Sequence, residues 1–122
     1  MATIDISVES LPENIIIVRV QGDKLDLSTA ARFKDKMRDL IRYNVRMVLD
    51  LGAVQFVDSS GFGAILSCLR DINEHGGSMK ICRVQKRVRA LLELVRIHRI
   101  LGIYDTSEEA VAAFDDATAI GK

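Results

Sequence analysis

The run Asp58-Ser59-Ser60-Gly61-Phe62-Gly63 places an acid, two hydroxyls and two glycines side by side, with apolar stretches before and after. Such a group can be a nucleophile, a phosphate cradle, an acceptor of a phosphoryl group, or a helix cap. Each role needs different company elsewhere in the chain. A nucleophile elbow needs glycines two positions before and two after its serine, so that the turn into the helix can be sharp. Ser59 has Val57 and Gly61 at those positions, and Ser60 has Asp58 and Phe62. A hydrolase also needs a general base, and the two histidines are His75, at an expected helix end, and His98, in a basic segment. Gly61-Phe62-Gly63 starts like a dinucleotide fingerprint, but Leu66 stands where its third glycine belongs. The lysine and spacing of a P-loop are missing, and no residues cluster at metal-ligand spacing. The acidic pair that holds magnesium in a receiver domain is not supplied by the hairpin start. The chain therefore reads as a non-enzyme, with no metal site and no cofactor.

Capping remains as the purely structural reading, since Asp58, Ser59 or Ser60 can satisfy the free amides of a helix that starts near Gly61. One cap needs one side chain. Three polar residues between Val57 and Phe62 exceed that need, which favours an exposed functional site. Gly61 and Gly63 fit two readings equally: tight packing of the helix, or close approach by a partner. Phe62, between them, is expected on the surface.

The elements that position this group follow from periodicity. Ile4, Ile6 and Val8 alternate with polar residues, as in a half-buried strand. A turn with the only proline, Pro12, leads to "IIIVRVQG", β-branched almost throughout and read as a buried strand paired to the first. Ala30, Phe33, Met37, Leu40 and Ile41 then recur at helical spacing, with Ser28 or Thr29 as N-cap. "RMVLDL" reads as a strand, followed by a connector whose Val54, Phe56 and Val57 should pack inward. The next helix starts at Gly61, turns Ile65, Leu69 and Ile72 to the core with Phe62 and Leu66 beside them, and ends at His75-Gly76-Gly77. "SMKICRV" is a strand, Val88, Leu91, Leu92 and Val95 mark an amphipathic helix, and "ILGIYDT" and "SEEAVAAF" read as a last strand and helix. The order β-β-α-β-α-β-α-β-α predicts one α/β domain over residues 1–122, with a mixed, mostly parallel sheet and helices packed against it.

Composition limits the partners. The 17 basic and 17 acidic residues cancel, which removes a global electrostatic case for nucleic acid. The charge is uneven, however. Arg83 to Arg99 holds six Lys or Arg against Glu93 alone, and Asp105 to Asp116 is acidic. A solvated helix face explains this; a basic docking surface for an acidic partner is the sharper alternative. No apolar run approaches the roughly 20 residues that cross a bilayer, and the N-terminus does not read as a signal peptide. Cys68 and Cys82 sit in apolar segments and read as reduced core residues of a cytoplasmic protein.

With these elements in place, "VLDLGAVQFVDSSGFGAILSCLRDINEHGGSMKICRV" closely resembles the STAS domain of bacterial anti-sigma factor antagonists. The shared pattern is a strand ending in Asp-Ser-Ser/Thr-Gly, then a hydrophobic residue and glycine, a helix, a Gly-Gly end and another strand. The "GDKLDLSTA" turn and the "SEEAVAAF" end extend the likeness. The resemblance implies Ser59 as phosphoacceptor, Ser60 as cap or alternative acceptor, and a partner-binding surface of Asp26, Asp58, Ser59, Ser60, Gly61, Phe62 and Gly63. It further implies an anti-sigma factor that is a serine protein kinase, a PP2C-type phosphatase, and release of a sigma factor when Ser59 is unphosphorylated. Weak homodimerisation stays open. So does the alternative of a non-switching STAS scaffold subunit in a stress-signalling or lipid-transport complex. Two departures stand out: "GDKLD" is one residue longer than the family's usual turn, which puts the place of Asp26 in question. Val95-Arg96-Ile97 replaces a common Ser/Thr-Gly-Leu.

Overall fold

The computed structural model describes residues 3–115; the expected domain limits of 1 and 122 lie outside them. The elements are β1 (Asp5–Leu11), β2 (Ile15–Gln21), β3 (Lys24–Leu25), α1 (Ala30–Arg38), β4 (Arg46–Asp50), β5 (Phe56–Val57) and α2 (Ser59–Glu74). They continue with β6 (Ser78–Cys82), α3 (Lys86–Leu94), a 3-10 turn (Ile97–Arg99), β7 (Ile103–Tyr104) and α4 (Ser107–Ala113). The main sheet runs β1-β2-β4-β6-β7. β1 pairs with β2 as an antiparallel hairpin, and every later pairing is parallel, with Val18 opposite Leu49 and Leu49 opposite Ile81. The predicted order and sheet are both present.

Central strands of a parallel sheet are covered on both faces, so they read as continuous apolar runs rather than alternations. β2 shows this directly. Ile16, Val18 and Val20 join Met47, Leu49, Met79 and Ile81 in a large core with Phe33, Met37, Ile65, Ile72 and Leu92 from the helices. Ile15 and Ile17 face the other way, with Val48 and Cys82, onto Ala110 and Phe114 of α4. Burial holds the Cys68 and Cys82 thiols at a pKa of about 12, well above the ordinary range, and neither forms a disulfide. Among the described residues no helix is long and apolar enough to cross a membrane.

Several details differ from expectation. β3 and β5 form a separate two-residue parallel ribbon, Lys24 opposite Phe56 and Leu25 opposite Val57, too short to leave a periodic signal. Within β5 successive side chains point to opposite sides. Val57 goes in and Phe56 is 45% exposed. Leu66 falls off the inner face of α2, which is drawn through Gly61, Ala64, Ile65, Cys68, Leu69 and Ile72. Val8 lies exposed on the edge strand. α1 stops at Arg38, leaving Leu40 and Ile41 half-buried in the turns that follow. Its N-cap, Thr29, makes no side-chain cap. The Thr29 hydroxyl is buried and turned back instead, donating to the Lys24 carbonyl at 3.0 Å and accepting from the Asp26 amide at 3.0 Å.

α3 ends at Leu94, so Val95 lies outside it and is exposed. Arg96, at the position where the resembling pattern has glycine, holds that left-handed geometry, with φ 62°. A side chain in this region costs roughly 1–2 kcal/mol. Arg96→Gly is therefore expected to raise unfolding stability by about 1 kcal/mol, net of the extra chain entropy of glycine, in a urea titration. An unchanged or lower midpoint would contradict the strain.

Candidate functional site

The site is built where the β3–β5 ribbon meets α2. Asp58 is the N-cap of the helix, in extended conformation, and its Oδ1 accepts the Gly61 amide at 2.9 Å. Its Oδ2 accepts the Leu27 amide at 3.1 Å, and its own amide donates to the Leu25 carbonyl at 3.3 Å. One carboxylate thus closes the helix end and ties down the loop that carries Asp26. Asp26 itself lies next to the tethered Leu27 at the end of β3.

Capping by Asp58 relieves both serines of that task, so Ser60 is not the cap. Ser59 occupies the first helical position and is exposed; Ser60, next along, is half-buried. Asp26 is held by its own loop. Its Oδ1 accepts the Ser28 hydroxyl at 2.6 Å and the Ser28 amide at 2.9 Å. The Ser28 hydrogen bond is the chief reason its carboxyl titrates below the usual range, which keeps a full negative charge near the helix start. Phe62 is half-buried against the large core, not the exposed anchor expected.

The two glycines separate. Gly61 is buried, and a Cβ there would overlap the Leu25 carbonyl oxygen, so its absence lets β3 press on the first turn of α2. A Cβ on Gly63 would meet nothing within 4 Å. Packing explains the first glycine, and an open surface surrounds the second.

Four contributors escaped the sequence reading. Asp50 ends an apolar strand yet is buried, its Oδ1 accepting the Gly52 amide at 2.8 Å. Its Oδ2 meets Arg83 at 3.3 Å and Arg19 at 3.7 Å. Gln85 then donates to the Gly52 carbonyl at 2.7 Å, fixing the connector that leads to Asp58. An acid two residues before a glycine was the available signal, that of an Asx turn. Phe56 and Arg87 are the others, lining with Asp23, Lys24, Asp26 and Gln55 a shallow depression beside the site.

The geometry gives opposite outcomes for matched substitutions. Gly61→Ala must displace β3 and is expected to cost about 1–3 kcal/mol. Gly63→Ala replaces glycine in an open helical position and should add up to about 1 kcal/mol. Asp58→Ala loses the cap and the Leu27 tether and should cost about 1–2 kcal/mol. Urea unfolding of the three variants checks all of these.

Comparison with known proteins places this geometry. The profile described as "STAS domain" matches residues 7–110. An anti-sigma F factor antagonist of Paenibacillus polymyxa is 36% identical over 103 residues, which cover 83% of this chain and 87% of that protein. The crystal structure of a candidate anti-sigma factor antagonist from Thermotoga maritima superposes with a TM-score of 0.77 at 28% identity, covering 88% of this chain and 92% of its own. The Bacillus cell fate determinant SpoIIAA in its phosphorylated form shares the fold, with a TM-score of 0.65 at 17% identity over 90% of this chain and 99% of its own. By sequence profile, by curated relatives and by fold, this chain belongs to the STAS domain family, among the anti-sigma factor antagonists.

Proposed function

We propose that the chain is an anti-sigma factor antagonist whose binding surface is switched by phosphorylation of Ser59. The observation that carries this reading is the exposed hydroxyl at the first turn of α2, left free of structural duty because Asp58 does the capping. The relative from Paenibacillus is an antagonist of an anti-sigma factor. SpoIIAA, which shares the fold, has both an unphosphorylated and a phosphorylated form. In the unphosphorylated state Asp26, Asp58, Ser59, Ser60 and Gly63 present a surface to a cytoplasmic anti-sigma factor, and its capture frees a sigma factor. That anti-sigma factor is a serine kinase that marks Ser59, and a PP2C-type phosphatase removes the mark. Gly61 and Phe62 hold the surface in place from below.

Phosphate brings about 1.5 to 2 negative charges. A helix N-terminus accommodates them, so the fold has no reason to change. The interface does. Asp58 directly precedes the new charge, the loop of Asp26 is tied to Asp58 through Leu27, and a partner must also strip water from the phosphate. Two unit charges about 4 Å apart interact by about 4 kcal/mol at an effective dielectric of 20. Losing about 3 kcal/mol weakens binding roughly a hundredfold.

Ser59→Ala is expected to keep the fold and the affinity for the anti-sigma factor while taking up no phosphate with kinase and ATP, read by intact mass and native gel. Phosphorylated wild-type chain should bind roughly a hundredfold more weakly. Full labelling of Ser59→Ala would remove Ser59 from the mechanism.

A further inference from the structure

The segment Leu94 to Ile100 turns its apolar side chains to solvent. Leu94 is 77% exposed and Ile100 61%, Val95 is exposed too, and Ile97 alone is buried. Arg96, His98 and Arg99 stand exposed among them. Large apolar side chains clustered on a surface mark an interaction site more often than scattered ones do. The left-handed strain at Arg96 falls in the same segment, and strain of this kind concentrates where a surface is used.

The segment also forms one wall of a groove. The other wall is α2, and the lining is Gly63, Leu66, Leu69, Arg70, Asn73 and Ile100. Positions 63, 66, 70 and 73 recur at helical spacing, so they make one straight ridge about 15 Å long. Leu66, Leu69 and Ile100 give the groove an apolar floor. Its lower end continues past Lys80, His98 and Arg99. The rim carries Arg70 and Arg99 against Glu74, while the Lys80 amine is turned to the other face of the sheet, over the Tyr104 and Phe114 rings. Its upper end is open at Gly63, one turn from Ser59.

We propose that this groove is a second docking surface, which takes an acidic amphipathic helix of a protein partner. A helix is about 10 Å wide and lays apolar residues at i, i+3 and i+4 into such a groove, with acids free to pair along both edges. Charge complementarity selects the occupant: a basic helix would meet Arg70 and Arg99, with the exposed Arg96 and His98 nearby. An anionic lipid surface shares the liking for apolar and basic groups but would bring its charge against Glu74. The groove meets the phosphoacceptor surface only at Gly63 and does not depend on the Ser59 switch.

The test is an NMR titration of the full chain with a 14-residue helix-forming peptide that has leucines at i, i+3 and i+4 spacing and glutamates beside them. A twin with lysine for glutamate and vesicles of phosphatidylglycerol are run in parallel. The acidic peptide should shift the amides of Leu66 and Ile100 saturably, and the lysine twin should bind at least tenfold more weakly. Ile100→Asp and Leu66→Asp, both at exposed positions, should each weaken the acidic peptide at least tenfold with an unchanged melting temperature. No saturable shift, equal binding of the two peptides, or shifts with vesicles but not with the acidic peptide would overturn the proposal.

Discussion

The Asp58 carboxylate is the contact on which the functional end of the molecule depends. Its two oxygens serve two different parts of the chain, the first turn of α2 and the loop after β3. Neither part has a regular partner of its own at that point. A helix start leaves its first amides unsatisfied, and a two-residue strand has almost no ladder to hold it. A single short acid, bidentate in this sense, solves both problems and draws the Asp26 loop to the helix. Because it lies inward with both oxygens engaged, the neighbouring hydroxyl is free to face outward. The cap and the exposed hydroxyl are thus divided between adjacent residues rather than combined in one.

Beneath that contact the sheet provides rigidity. β2, β4 and β6 are buried on both faces, and Asp50 at the end of β4 anchors the connector through Gly52, with Arg83, Arg19 and Gln85 around it. The path from core to site is therefore short: strand, Asx turn, ribbon, cap. Gly61 completes it by letting the ribbon sit against the helix without a side chain between them.

Much of this was legible in the residues. The unbroken β-branched run of β2, the helical spacing of Phe33 and Met37, and the Gly76-Gly77 stop all state their structures locally, and Gly76 does take a left-handed φ of 77°. Asp58-Ser59-Ser60 announced a cap, which Asp58 makes. What stayed hidden depends on tertiary neighbours. Phe56 and Leu66 are apolar yet lie outward, because a two-residue strand and the edge of a helix face give no period to read. Thr29 looks like a cap and bonds backward, since the Lys24 carbonyl is nearer than the helix amides. Asp50 is an acid that the interior accepts because two guanidinium groups join the local Gly52 amide around it, and Arg19 and Arg83 are far from it along the chain.

The β3–β5 ribbon is separate from the five-stranded sheet and only two residues long on each side. Segments of this kind open at far lower free energy than a central strand does, and they open alone. The ribbon ends two residues before Ser59, so its opening loosens the approach to the first turn of α2 while the core keeps its amides shielded from solvent. On the reading proposed above, marking of Ser59 needs the parting of one small ribbon and one helical turn while the core stays folded.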